Sequence, residues 1–161
     1  MSLSPDDSQA ASSEQLKSQI MLSTSELEYE KNHAQFLGYK VEEIDSNILS
    51  LTPENADRLW WWWLVRRDHG VLARRIMNPA APGASRIDML EFVNAVNCLC
   101  EAVCITLEVG KNGETQIFAQ SFLEGQYNRS NFTIFMERIN QELSTAVSNE
   151  TVLEAWTRIS P

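Results

Sequence analysis

The chain has 161 residues, 43% of them hydrophobic and 22% charged, enough for one folded domain with an ordinary core. Its net charge of −9 opposes nonspecific binding to nucleic acid or to anionic membrane surfaces. No run approaches the ~20 apolar residues of a membrane-spanning helix. Cys98, Cys100 and Cys104 form an odd set in a chain without an export signal, which points to reduced thiols in a cytoplasm.

Residues 1–13, rich in Ser, Ala and Asp, are expected to be disordered. A helical region is predicted from about Glu14 to Leu37. Ser23 and Glu26 form an internal capping box there, and Leu27, Lys31, Ala34 and Leu37 keep helical spacing up to a stop at Gly38. Tyr39–Ile44 and Ile48–Leu51 then make one or two short strands around Asp45-Ser46-Asn47. Thr52-Pro53-Glu54 is read as a loop, although Pro also suits a first helical position. Glu26, Glu28, Glu30, Glu42, Glu43 and Asp45 make this part acidic, the pattern of a solvated face.

Trp60-Trp61-Trp62-Trp63 then dominates the run Leu59–Val65. On a helix four consecutive indoles would cover most of the circumference, whereas a strand sends two to each side. Asp68-His69-Gly70 reads as a three-residue hairpin loop leading into Val71–Met77. That loop length pairs Arg67 with Val71, Val65 with Ala73 and Trp63 with Arg75, so Arg75 would stack on Trp63. One face would carry Trp61, Trp63, Val65, Ala73, Arg75 and Met77; the other would carry Trp60, Trp62, Leu64, Leu72, Arg74 and Ile76. Both faces are apolar. A helix layer is expected on one, and a second subunit or a ligand on the other.

Asn78-Pro79 to Gly83 is a loop of turn formers. Ser85 and Asp88 cap a helix over Arg86–Asn97, with Ile87, Met89, Leu90, Phe92, Val93 and Val96 as its apolar set. Val103–Val109 alternates as a half-buried strand. Gly110-Lys111-Asn112-Gly113 turns it into a return strand at Thr115–Leu123. A long helix over Arg129–Val147 buries Phe132, Phe135, Met136, Ile139 and Leu143, and Val152, Leu153 and Trp156 suit a short last helix. The expected organisation is a disordered segment 1–13, one α+β domain over 14–147, and a tail 148–161 with that short helix.

The candidate partner-binding residues are Trp60, Trp61, Trp62, Trp63, Arg66, Arg67, Arg74 and Arg75: rings for apolar segments, guanidinium groups for carboxylates. The cysteines match no zinc spacing and are expected to be buried and reduced, so no metal is assigned. His33 and His69 lack an activating context. Phosphate loops and nucleophile elbows are missing, so no catalytic residue and no cofactor are assigned.

This order of elements resembles the YbjN-like family, whose fold is that of type III secretion chaperones. The points of resemblance are Leu59–Val65, Val71–Met77, the helix Met89–Asn97, the strand pair 102–123 and Phe132–Leu143. Leu90–Asn94 and Asn97 match the family's helix end. Lys111-Asn112-Gly113 is basic where the family has an acidic-glycine turn, and four tryptophans stand where one aromatic is usual. The resemblance covers about Glu26 to Val147. It implies an α+β fold, a twisted antiparallel sheet with packed helices in the order α-β-β-β-α-β-β-α, often dimeric and without a cofactor. It also implies a bacterial, chaperone-like role, and no functional residues carry over.

The combined expectation is a cytoplasmic, non-enzymatic homodimer that engages another polypeptide. An exposed sheet edge would take an extended segment and pockets near the tryptophans its side chains. The alternatives are a structural or regulatory homodimer without a client, and single-stranded nucleic acid stacked on the same Trp/Arg hairpin, which the net charge opposes.

Overall fold

A computed structural model describes residues 27–55, 60–77, 83–110 and 113–160. Residues 27–36 are helical (α1), and Gly38, at φ 93°, reverses the chain into the first strand as its missing Cβ allows. Two strands follow, β1 (Tyr39–Asp45) and β2 (Ile48–Pro53), then β3 (Trp62–Arg67) and β4 (Gly70–Met77). After α2 (Arg86–Asn97) come β5 (Cys104–Val109) and β6 (Thr115–Glu124), and the chain continues in α3 (Arg129–Val147) and α4 (Glu150–Ile159). The six strands form one antiparallel sheet in the order β1-β2-β3-β4-β6-β5, so the crossover through α2 sends β5 to an edge.

Strand alternation gives the sheet one fully buried face. Leu49, Leu51, Trp62, Leu64, Ala73, Ile105, Ile117 and Ala119 lie on it, each at most 1% exposed. They pack with Leu27 and Ala34 of α1, Phe92 and Val96 of α2, and Phe132, Met136, Ile139 and Leu143 of α3. The short last helix expected beyond residue 147 is α4, whose Val152, Ala155 and Ile159 belong to this same core. Local signals set the helix ends: the Ser85 hydroxyl accepts from the Asp88 N–H at 3.1 Å, and Asn128 does the same for Asn131.

Five expectations are corrected. The β3–β4 loop has two residues, Asp68 and His69, because Gly70 is itself in the ladder opposite Arg67. The register therefore moves by one, Trp63 faces Arg74 rather than Arg75, and the two strands' faces are exchanged relative to each other. Among the described residues four strands precede α2, one more than the rough order, because both short segments after α1 form strands. Ile87 and Leu90 are 70% and 41% exposed, outside the buried stripe of Met89, Phe92, Val93 and Val96. Cys98 and Cys104 are exposed, since one follows the end of α2 and the other lies on the sheet face away from the core. The disordered segment 1–13, the helix start over 14–26, the strand start at Leu59, the loop 78–82 and the turn residues 111–112 lie outside the described residues.

One carboxylate ties α3 to the approach of β5. Glu142 accepts from the backbone N–H groups of Glu101, Ala102 and Val103 at 3.0, 2.7 and 3.1 Å, and from Arg138 Nε at 2.8 Å. Partial burial alone would raise its pKa, but the three N–H donors and the guanidinium outweigh it and hold the carboxyl below its ordinary value of 4.5. We expect Glu142→Ala to cost about 2 kcal/mol in urea denaturation. Because the folded pKa is depressed, this contribution is present above pH 4.5 and fades as pH falls through the folded value. A parent-to-variant difference that did not change from pH 7 to pH 3 would contradict this account.

Candidate functional site

The four tryptophans divide two and two, as a strand requires. Trp62 is fully buried on the helix side, and Trp60, just ahead of β3, lies half-buried on that side. Both are fixed by Asn140 of α3, whose Oδ1 accepts from the Trp60 backbone N–H at 2.8 Å and from Trp62 Nε1 at 3.3 Å. Asn140 Nδ2 donates to Tyr39 Oη at 2.8 Å and to the Met136 carbonyl. Trp60 Nε1 donates to Ser144 Oγ at 2.9 Å. Burial pushes the Tyr39 phenol up to about 12, with Asn140 pulling slightly the other way. Asn140 was not among the sequence-level candidates. Its spacing from Met136, Ile139 and Leu143 places it on the buried stripe of α3, and a polar residue on an apolar stripe is the signal that marks it.

Beside Trp60 a cavity of about 260 Å³ opens between β4, the middle of α2, the end of α3 and α4. Met77, Phe92, Val147, Val152, Leu153 and Trp156 wall it, and Arg75 is its one charged lining residue among those described. Arg75 is 7% exposed. Its guanidinium carbon lies 4.4 Å from the Trp60 ring centroid and 5.1 Å from that of Trp61. Each such contact is worth about 0.5–2 kcal/mol. Its Nε and Nη1 have no hydrogen-bond partner among the described residues. Burial draws the guanidinium down to about 10.

Trp61 and Trp63 turn to the opposite side of the sheet. Both are half-buried, their rings edge-to-face at 5.1 Å. On that side the paired strands place Val65, Leu72, Ile76 and Phe122, the last 48% exposed. Arg74 stacks on Phe118 at 3.8 Å and pairs with Glu108.

The remaining arginines separate. Arg67 is exposed at the hairpin end, while Arg66 turns to the helix side and pairs with the buried Glu30 of α1, whose carboxyl desolvation raises to about 8. The candidate residues therefore divide into two groups that meet at one contact: Trp60 with Arg75 on the helix side, Trp61 and Trp63 with Arg74 on the other, and Arg75 also near the Trp61 ring. Trp62 and Arg66 serve the core.

Both histidines are accounted for. His69 is exposed in the β3–β4 turn. The His33 ring meets Tyr127 Oη at Nδ1 and Thr133 Oγ1 at Nε2, each at 2.9 Å. Thr133 donates to the Arg129 carbonyl, so it accepts from Nε2–H, which fixes the neutral tautomer. Burial first, then Arg129, lowers the pKa of His33. No group of three or more His, Cys, Asp or Glu among the described residues is placed to hold a metal. No described helix is long and apolar enough to cross a membrane.

The sheet edges also differ. Asn97, part of the family-like helix end, donates to the Ile105 carbonyl at 3.0 Å and accepts from its N–H at 2.7 Å, so a side-chain amide occupies the outer edge of β5. The other edge strand of the sheet is β1.

The α+β fold, a six-stranded antiparallel sheet with helices packed on one face, is like that of YbjN. YbjN from E. coli, assigned as a candidate transcription regulator, matches with a TM-score of 0.62 at 15% identity, over 83% of this chain and 93% of that one. The heterodimeric ExoU–SpcU complex from the type III secretion system of Pseudomonas aeruginosa gives a TM-score of 0.44 at 14% identity, over 73% of this chain and 94% of that one. The expected YbjN-like fold is thus the fold observed, and at this identity the likeness concerns the fold alone. No protein-family model matches the sequence, and no curated protein does either.

Proposed function

We propose that this chain is a non-enzymatic protein-binding module, chaperone-like or an adaptor, acting in the cytoplasm. Its contact surface is the sheet face opposite the helices. The carrying observation is the pair Trp61 and Trp63, half-exposed and edge-to-face beside Leu72, Ile76 and Phe122. Paired indoles on a sheet surface are the kind of rigid, large contact that dominates protein interfaces. An extended client segment would add along β1, because Asn97 occupies the edge of β5. The second reading is a homodimer formed through the same face without a client.

The test is a Trp61→Ser/Trp63→Ser double variant beside the parent. The client is first identified by pull-down and then purified for titration. We expect affinity to fall about a hundredfold, as for two interface anchors, with the thermal midpoint kept. If instead the parent is a dimer by light scattering, retains no client, and the variant is a monomer, the homodimer reading stands. A variant unchanged in both partner binding and self-association defeats both readings.

A further inference from the structure

We propose that the cavity beside Trp60 is a binding site for a small monocarboxylate with an apolar body, its carboxylate on Arg75 and its body among Phe92, Val152, Leu153 and Trp156. This site lies on the helix side of the sheet, and its lining includes neither Trp61 nor Trp63 of the protein-binding surface, although Arg75 also reaches the Trp61 ring.

Three observations carry it. Arg75 is more than nine-tenths buried and lines the cavity, yet its Nε and Nη1 have no hydrogen-bond partner among the described residues. A buried cation without an anion is costly, and such cations are generally paired or coordinated. Glu30 of α1 is already engaged by Arg66 and Glu108 of β5 by Arg74, so these two carboxylates serve other arginines. Indole faces stabilise a guanidinium by its charge but leave its N–H groups unsatisfied.

The shape and lining then select the ligand. One guanidinium matches one negative charge, and its plane of donors suits a carboxylate. The other lining side chains offer almost only carbon, which excludes sugars and polyanions. At about 260 Å³ the cavity is smaller than the roughly 300–1,000 Å³ that hold drug-sized ligands, so the body is short. Capture of a polypeptide carboxyl terminus generally uses a nest of backbone N–H groups, whereas this cavity presents side chains. Leu153, 48% exposed, stands at the mouth, and Trp60 and Trp156 flank the interior, so binding reports in tryptophan fluorescence.

The experiment titrates octanoate, 1-octanol and octylamine into the full chain by calorimetry, with tryptophan emission as a second readout. We expect saturable octanoate binding, with octanol and octylamine weaker by about tenfold or more. Arg75→Met is expected to bind octanoate no better than octanol. Leu153→Trp, made at a half-exposed position, is expected to abolish octanoate binding with an unchanged far-UV spectrum. If Arg75→Met does not fold, the octanol comparison on the parent and the Leu153→Trp variant decide. Octanoate that does not saturate, octanol binding as tightly as octanoate, or Leu153→Trp retaining full affinity would each overturn the proposal. So would a peptide ending in leucine that outbinds octanoate and weakens on amidation, which would assign the cavity to a chain terminus.

Discussion

Asn140→Leu is expected to destabilise the protein by about 3–5 kcal/mol, a large part of the roughly 5–15 kcal/mol that holds a domain of this kind folded. Leucine keeps the volume and suits the apolar surroundings, so the loss comes from the groups Asn140 leaves behind. The Trp62 indole N–H and the Tyr39 hydroxyl sit at positions 0% and 1% exposed, where water does not replace the amide. The Trp60 backbone N–H loses its acceptor as well, in a partly open setting that lowers its share. An orphaned buried donor or acceptor costs about 1–3 kcal/mol, which sets the range. Ser144→Ala is the control, because it removes only the bond to Trp60 Nε1 and is expected to cost about 1 kcal/mol or less. Urea denaturation of both variants decides the matter. Asn140→Leu no worse than Ser144→Ala would mean that packing alone places the tryptophans.

The same network shows where sequence reading succeeds and where it stops. Helix bounds were legible because their signals are local: Ser85 caps α2 three residues before Asp88, and α3 begins at the expected Arg129. The division of the tryptophans, 60 and 62 against 61 and 63, follows from the two-residue period of a strand and was equally legible. Alternation within β4 also held, with Ala73, Arg75 and Met77 on one side. The relation between the two strands failed by one residue. It depends on whether Gly70 belongs to the turn or to the ladder, and β6, more than fifty positions further along, settles that. A local turn pattern contains no information about that neighbour. The candidate site was hidden for the same reason. Trp60 and Arg75 meet only under the new register, and the cavity they share needs α4, whose apolar pattern predicts a short helix but not the place where it docks.

Gly70→Ala tests that account of the register directly. The native φ of 153° already disfavours a side chain, but the larger effect is steric. A Cβ at position 70 would lie 2.0 Å from the Leu123 carbonyl oxygen, 3.0 Å from its carbon and 2.9 Å from the Phe122 ring. Two of these are backbone atoms of a paired strand, so relief requires β6 to move off β4. That movement would break the Gly70–Glu124 end of the ladder and the Gly125 N–H bond to the His69 carbonyl at 2.8 Å. We expect a loss of about 4 kcal/mol or more, at the diagnostic end of single-substitution effects. Gly113→Ala separates the two causes. That glycine has φ 77° with nothing among the described residues within 4 Å of an added Cβ, so alanine there meets chiefly the backbone penalty of about 1–2 kcal/mol. If the two alanine variants unfold at the same urea concentration, the contact with β6 does not set the hairpin register. A large gap between them would make β6 the template against which the tryptophan strand and its partner are aligned.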